Sequence, residues 1–453
     1  MQKISIKNFG PIKDATIEIN NFLILIGEQA SGKSTIAKLI YFFKSLSSDF
    51  LSSYYASDKT DIDIPQMITF PTREKFYDYF GSTFHLPDFK IVYYYGGNKS
   101  MTLSLAENRR LYVSLGGDFF PHLSRVEMAA IKKELLDIRD ELSHVGSVVE
   151  KVILEQKQIK LLQQLSQIVD TIFCNTHNDS LFVLAGRNAT VGYSGFFEEM
   201  LNQHIRKTIE NQGKQAYQHK EQTIDETLML EFLQKVNKMR QQFNKYGDFA
   251  GIIRMQKDER KDTSKLELAN GLISKILRGS YSSYESDERI VMDSGQYVYL
   301  KNASSGQQES IRILQDAFLS ILSNNNVLRI FEEPEVHLFP EAQMYIMQLL
   351  AIVMNNTPHN QVIITTHSPY VLSVLNNLIY AYQIGQSHTT EVNAIIDKNA
   401  WLNPERVKAY MLSDGNTRPI IDAELKMIQA EHIDSVSSIL NDQFNNLLDL
   451  DCQ

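Results

Sequence analysis

The stretch Gly27-Glu28-Gln29-Ala30-Ser31-Gly32-Lys33-Ser34-Thr35 constrains this chain more than any other part of it. It fits the phosphate-loop pattern G-x-x-x-x-G-K-[ST], and its flanks supply the context that the pattern needs. Before it, Phe22-Leu23-Ile24-Leu25-Ile26 is a short unbroken apolar run, as in a strand buried on both faces. After it, Ile36, Ala37, Leu39, Ile40 and Phe43 recur at helical spacing, predicting a helix to about Leu46. Glycines in such a turn let successive backbone N–H groups point into one concavity, and the helix adds the positive end of its dipole. Lys33 can then reach the β- and γ-phosphates of a nucleoside triphosphate, and the Ser34 hydroxyl can ligate Mg²⁺. A chain organised this way is expected to bind ATP or a close analogue.

A second buried strand is predicted at Val327-Leu328-Arg329-Ile330-Phe331, ending in Glu332-Glu333-Pro334-Glu335. A carboxylate at the end of a strand beside the phosphate-loop strand is where Mg²⁺ is held, and a neighbouring carboxylate can orient the attacking water. Glu332 is therefore the candidate metal residue and Glu333 the candidate catalytic one; the bland alternative is an acidic turn before Pro334. Gln361-Val362-Ile363-Ile364-Thr365-Thr366 is a third apolar strand, and His367 at its end can hydrogen-bond a γ-phosphate. Asn302-Ala303-Ser304-Ser305-Gly306-Gln307-Gln308-Glu309 opens a helix carrying Ile311, Leu314, Phe318, Ile321 and Leu322 on one side. A small-residue turn opening a helix is another anion site, although alone it also reads as a plain N-cap with Ser305 as cap.

Ile4 and Ile6, then Ile17 and Ile19, alternate with polar residues around Phe9-Gly10-Pro11, predicting two strands and a turn. Residues 47–120 read as further strands and loops, with prolines at 65, 71 and 87 and a tyrosine-rich run at Ile91–Tyr95. From Val126 to Phe173 the spacing predicts an amphipathic helical hairpin broken near Gly146. A strand at Leu181–Leu184 leads into Ala185-Gly186-Arg187, and a second helical block spans Phe196 to Met255. The basic residues between Met239 and Lys261 interleave with acidic ones, as on a solvated helix face, with nucleic-acid contact as the alternative. Near the C-terminus Ile433, Val436, Ile439, Leu440, Phe444, Leu447 and Leu448 form an apolar stripe, expected to pack on its own domain or to dock a partner.

No internal repeat is visible. The expected division is an N-terminal lobe at 1–120, a helical insertion at 121–265 with a strand near 181–187, a C-terminal lobe at 266–400 and a helical tail at 401–453. A formal charge of −9 argues against a surface that is basic all over. Only Cys174 and Cys452 are present, without metal-ligand spacing, and no apolar run reaches membrane-spanning length. A cytoplasmic location is the simple expectation.

The order GEQASGKST, NASSGQQES, RIFEEPEVHLFP and ITTHSP resembles the ATP-binding-cassette ATPases of the RecF, SMC and OLD type. The resemblance covers residues 1–45 and 266–375 and implies an α/β fold: a P-loop NTPase head with a mixed sheet and inserted helical blocks. It implies that two heads sandwich two ATP molecules, each phosphate loop facing the Ser304-Ser305-Gly306-Gln307 signature of the other. Lys33 and Ser34 match the phosphate-loop lysine and Mg²⁺ serine, Glu332 and Glu333 the metal carboxylate and catalytic glutamate, His367 the switch histidine. Ala185-Gly186-Arg187 is similar to a strand-end arginine motif of the OLD-like branch. The implied partners are a second copy (a homodimer or larger homo-oligomer with ATP at the head interface) and a separately encoded effector, as in bacterial antiphage systems of the Septu and PARIS kind. An OLD-type nuclease and a RecF- or SMC-like DNA-repair or DNA-tethering ATPase are the competing readings. The residues after His367 are few for the nuclease domain of the former, and sustained heptads for the coiled coils of SMC proteins are missing.

Overall fold

The computed structural model describes residues 2–58, 63–192, 224–259, 261–284, 287–429, 441–445 and 447. The chain opens with a hairpin of β1 (Gln2–Phe9) and β2 (Ile12–Ile19), and β3 (Phe22–Gly27) then runs into the phosphate loop. With β4 (Lys90–Gly96), β5 (Lys99–Leu105), β6 (Leu111–Gly116), β7 (Asp179–Val183), β11 (Val327–Glu332), β12 (Gln361–Thr366), β13 (Val407–Ser413) and β14 (Asn416–Pro419), these strands form one mixed sheet. Its 11 strands lie in the order β6-β5-β4-β1-β2-β14-β13-β3-β12-β11-β7. One limb is antiparallel, from β6 to β2; the other, β13-β3-β12-β11-β7, is parallel. A separate sheet joins β8 (Ser280–Tyr284), β9 (Asp287–Val291) and β10 (Tyr297–Tyr299). This is a P-loop ATPase-type fold.

The parallel strands are buried on both faces, so their side chains alternate between two cores. Phe22, Ile24 and Ile26 of β3, Val362 and Ile364 of β12, and Val327 and Phe331 of β11 enter one core. Leu23, Leu25, Ile363, Leu328 and Ile330 enter the other. The second core is covered by α1 (Lys33–Ala56), α2 (Ile64–Phe80) and the hairpin of α3 (His122–His144) and α4 (Val148–Ile172). The first is covered by α5 (Ile224–Tyr246), α6 (Phe249–Asp258), α7 (Ser264–Leu277), α8 (Ser305–Ser323), α9 (Pro340–Asn356) and α10 (Pro369–Gly385). The hairpin docks on α1 through Lys132, whose Nζ donates to the carbonyls of Tyr54 at 2.6 Å and Tyr55 at 2.9 Å, at the helix C-terminus.

Three expectations need correction. Helix α1 continues ten residues past Leu46, to Ala56. Helix α2 occupies part of the segment read as strands and loops: Asp63 caps it, Pro65 lies in its first turn, and Pro71 sits in its interior. Packing of Phe76 and Tyr79 against Phe42 holds that helix through the interior proline. From 401 onward a helical tail was expected, yet Val407–Ser413 and Asn416–Pro419 are strands of the central sheet. Their turn, Asp414 with φ 52 and Gly415 with φ 80, has the two left-handed residues of a type I′ hairpin.

Where described, the second helical block is two helices parted at Gly247-Asp248, while its residues 196–223 lie outside the described residues. Within its basic tract Lys257 pairs with Glu267 and Arg254 with Asp248, both cations more than half exposed. Of the C-terminal stripe, Ile433, Val436, Ile439, Leu440 and Leu448 lie outside the described residues; Phe444 and Leu447 are exposed. Trp401 is packing: it is buried, donates its indole N–H to Ile396 O at 2.8 Å, and lies against Gly385.

Candidate active site

Between β3 and α1 the backbone turns through Ala30 with φ 59 and Gly32 with φ 103, the left-handed region. A side chain at Gly32 would lie 2.9 Å from Ile12, and one at Gly27 would lie 2.3 Å from the carbonyl oxygen of Leu412 on β13. The loop is thus pressed between the first hairpin and β13, where only hydrogen fits. No side chain caps the N-terminus of α1, so its first amides face the concavity. Glu28, Gln29, Ala30 and Ser34 are exposed there, Thr35 is half-buried, and the buried Oγ of Ser31 has no hydrogen-bond partner. Lys33 is 5 % exposed, and its Nζ donates to the carbonyls of Gly27 at 3.0 Å and Glu28 at 2.8 Å. Burial lowers its pKa, against the pull of Glu333 and Glu335.

β11 and β12 bring the acidic run and the histidine beside this loop. β12 pairs with β3 from Val362↔Phe22 to Thr366↔Ile26, and β11 pairs with β12 up to Glu332↔Thr365. Glu332 is buried; its Oε2 accepts from the Ala185 N–H at 3.2 Å, and its Oε1 is buried without a partner. A lone oxygen of this kind, with a serine hydroxyl exposed at the phosphate loop, fits a divalent cation that keeps waters and phosphate oxygens as its other ligands. Among the described residues no cluster of His, Cys, Asp or Glu could hold a metal by itself.

Glu333 has φ 44, and its N–H donates to Thr365 O at 3.0 Å. Its Oε1 lies 3.1 Å from His367 Nε2. Burial and the charge of Lys33 lower the pKa of His367, with Glu333 opposing them, so a neutral ring is favoured near neutrality. Glu335 accepts from the Thr366 hydroxyl and, at 3.2 Å, from the His367 N–H. Burial raises its pKa above the usual carboxylate range.

The helix α8 has an exposed N-terminus. Its cap is Ser304, where Ser305 was expected: the Ser304 hydroxyl accepts from the Gln307 N–H at 3.3 Å, and Gln307 Oε1 accepts from the Ser304 N–H at 3.1 Å. Gln307 also donates to Leu277 O at 2.7 Å, and a side chain at Gly306 would meet His337 O at 2.6 Å. Further along, α8 is moored by buried ion pairs. Arg312 forks onto Glu288, Arg329 meets Asp316 and Asp179, and Arg187 faces Glu309.

Lys33, Glu332, Glu333 and His367 are therefore gathered at the ends of neighbouring parallel strands. Among the described residues no hydrogen bond joins Ser304, Ser305, Gly306 or Gln307 to that loop. Glu335, Thr365 and Thr366, without a role predicted from sequence, orient the neighbouring groups; the third carboxylate of EEPE and the threonines at the strand end are their sequence signals.

Several solved structures are similar in outline. The SMC head domain from Thermotoga maritima aligns with a TM-score of 0.34 at 12% identity, covering 92% of this chain and 97% of that one. The Smc head domain of Pyrococcus furiosus, solved with an extended coiled coil and the C-terminal domain of ScpA, aligns with a TM-score of 0.34 at 15% identity, covering 93% and 96%. The recombination mediator RecF aligns with a TM-score of 0.32 at 10% identity, covering 92% and 97%. No curated protein matches the chain. A family model described as the AAA ATPase domain matches residues 1–372. Because that span holds the phosphate loop, α8, the acidic run and His367, this chain belongs to the AAA ATPase domain family.

Proposed function

We propose that the chain is a Mg²⁺-dependent ATP-hydrolysing switch whose two heads close on two ATP molecules. Residues 1–120 and 266–400 form the head in this reading, and 121–265 are its insertion. The observation that carries it is the separation of two half-sites. Lys33, Glu333 and His367 are gathered at one loop, while the Ser304–Gln307 turn, with Ser304 and Ser305 exposed, has no bond to that loop among the described residues. A second copy supplies the missing half: its α8 N-terminus adds positive charge on the open side of the γ-phosphate. Lys33 leaves its loop carbonyls for the phosphates. Glu333 accepts a hydrogen bond from the attacking water, and the neutral His367, with a single N–H to donate, gives it to that carboxylate without nucleotide and to the γ-phosphate when ATP is bound. Bound Mg²⁺, on Ser34 and Glu332, would neutralise phosphate charge.

The test is the solution mass of Glu333→Gln with and without ATP and Mg²⁺, with Lys33→Ala as control. A mass that doubles with ATP and only while Lys33 is intact is the expected result. A mass indifferent to ATP, together with hydrolysis that survives Ser305→Arg, would discard the sandwich.

The switch drives, in this reading, a separately encoded effector in a bacterial antiphage complex. Support comes from the sequence resemblance and from β13 and β14, which commit residues 407–419 to the ATPase sheet and leave them unavailable to a C-terminal nuclease domain. An ATP-dependent change in effector activity on co-expression with neighbouring gene products is expected. Mg²⁺-dependent DNA cleavage by the pure chain would instead favour the nuclease reading, and salt-dependent duplex binding the repair reading.

A further inference from the structure

Arg187 follows β7 and is fully buried. Its Nε donates to Glu309 O at 2.9 Å, and its terminal nitrogens donate to the carbonyls of Glu332 at 2.9 Å, Glu333 at 3.1 Å and Leu184 at 3.2 Å. The Glu309 carboxylate lies 3.5 Å from the same Nε. A guanidinium can serve several acceptors at once because its donors form a rigid planar fork; an ammonium is a point charge on a flexible stem.

These acceptors are main-chain carbonyls, so Arg187 fixes backbone. On one side it grips the peptides of Glu332 and Glu333, and Glu333 holds φ 44, a conformation that a non-glycine residue keeps only when its surroundings enforce it. The backbone held there sets the reach of the Glu333 carboxylate toward His367. On the other side Arg187 grips α8 at Glu309, one turn beyond the Ser304 cap. A single side chain therefore bridges the helix that presents Ser304–Gln307 and the strand end that presents Glu333.

We propose that Arg187 is a positioning residue that keys the Glu333 carboxylate to the position of α8. The inference rests on the roles given above to Glu333 and to the Ser304–Gln307 turn. A shift of α8 on contact with the partner's nucleotide reaches the Glu333 backbone through Glu309 and Arg187, so water activation waits for a closed sandwich. A brace that served folding alone would lower stability and leave the turnover of folded protein unchanged.

Steady-state hydrolysis across ATP concentration, titration with a fluorescent ATP analogue, and thermal melting of the full chain distinguish these roles. Arg187→Lys is expected to lower kcat about a hundredfold, as a small misplacement of a reacting group does, with KM and nucleotide affinity within about threefold of wild type. Glu309→Gln keeps the carbonyl but loses the ion pair, and should lower kcat about tenfold at unchanged affinity. Folded Arg187→Lys with wild-type kcat overturns the proposal, as does an equal loss of affinity and turnover. Should Arg187→Lys fail to fold, Glu309→Gln decides: lowered kcat at intact affinity supports the proposal, and wild-type kcat overturns it. Wild-type turnover by Glu333→Gln overturns the reading of the site itself, and this inference with it.

Discussion

The phosphate loop and the acidic cluster stand side by side, yet they are built by opposite means. The loop is contiguous, and its groups answer one another: Lys33 binds the carbonyls of Gly27 and Glu28, and Ile36 N–H bonds Gly32 O. The acidic cluster is held by residues that arrive from elsewhere. Glu332 is met by Ala185, Glu333 by Thr365, His367 and Arg187, and Glu335 by Thr366. A local device can be altered at one residue with a local effect. An assembled one responds to changes at sites distant in sequence, which makes it suited to report on a partner.

Substitutions can test that contrast. The largest effect is expected at Glu333→Gln, with kcat falling about a thousandfold at unchanged ATP affinity, the range for a lost general base. Retained turnover would move the catalytic role to another carboxylate. Lys33→Ala should act in the other direction on the pair of parameters. Loss of a charged hydrogen bond to phosphate weakens nucleotide titration by about ten- to a hundredfold, and equal binding would show that the loop amides suffice.

Gly27→Ala should destabilise by about 1–3 kcal/mol through its clash with the Leu412 carbonyl, measured by denaturant unfolding. No loss would mean that β13 does not back the loop. His367→Gln should change the acid limb of the rate profile. Because burial and Lys33 hold the imidazole pKa below its usual 6.5, wild-type turnover should stay level as pH falls through that value and drop only below it.

The last test concerns Lys44 on α1, away from the site. Burial pushes its pKa down to about 7, and among the described residues its ammonium bonds the amide oxygens of Gln2 and Gln361. Between that value and the 10.5 of a free lysine, the unfolded chain holds a proton that the folded chain has released. Stability should therefore rise with pH across the window. Melting of Lys44→Met should lose that rise; a parallel profile would place its origin elsewhere.

Some of what was misread was in fact legible. Asp63-Ile64-Pro65 is a helix start, a capping residue followed by a proline in the first turn, and Asp414-Gly415 between alternating runs is a hairpin signal. Pro71 hid the first, and the charged, irregular surroundings of 405–424 hid the second. The Ser304 cap needed geometry, because either serine of Ala303-Ser304-Ser305 could accept the bond and the reciprocal contact with Gln307 selects one.

Other features could not have been read at all. That Arg187, Arg312 and Arg329 are all fully buried follows from acceptors more than a hundred, twenty-four and thirteen positions away. Local spacing by itself determined the phosphate loop, its strand and helix, and the acidic strand end, since each is a short pattern whose physics is complete within one turn or one strand. The sheet order, the joining of β13 to β3, and the grip of Arg187 on two elements were decided only by the tertiary structure. Desolvating a guanidinium or closing a parallel pair is favourable only when distant partners arrive together.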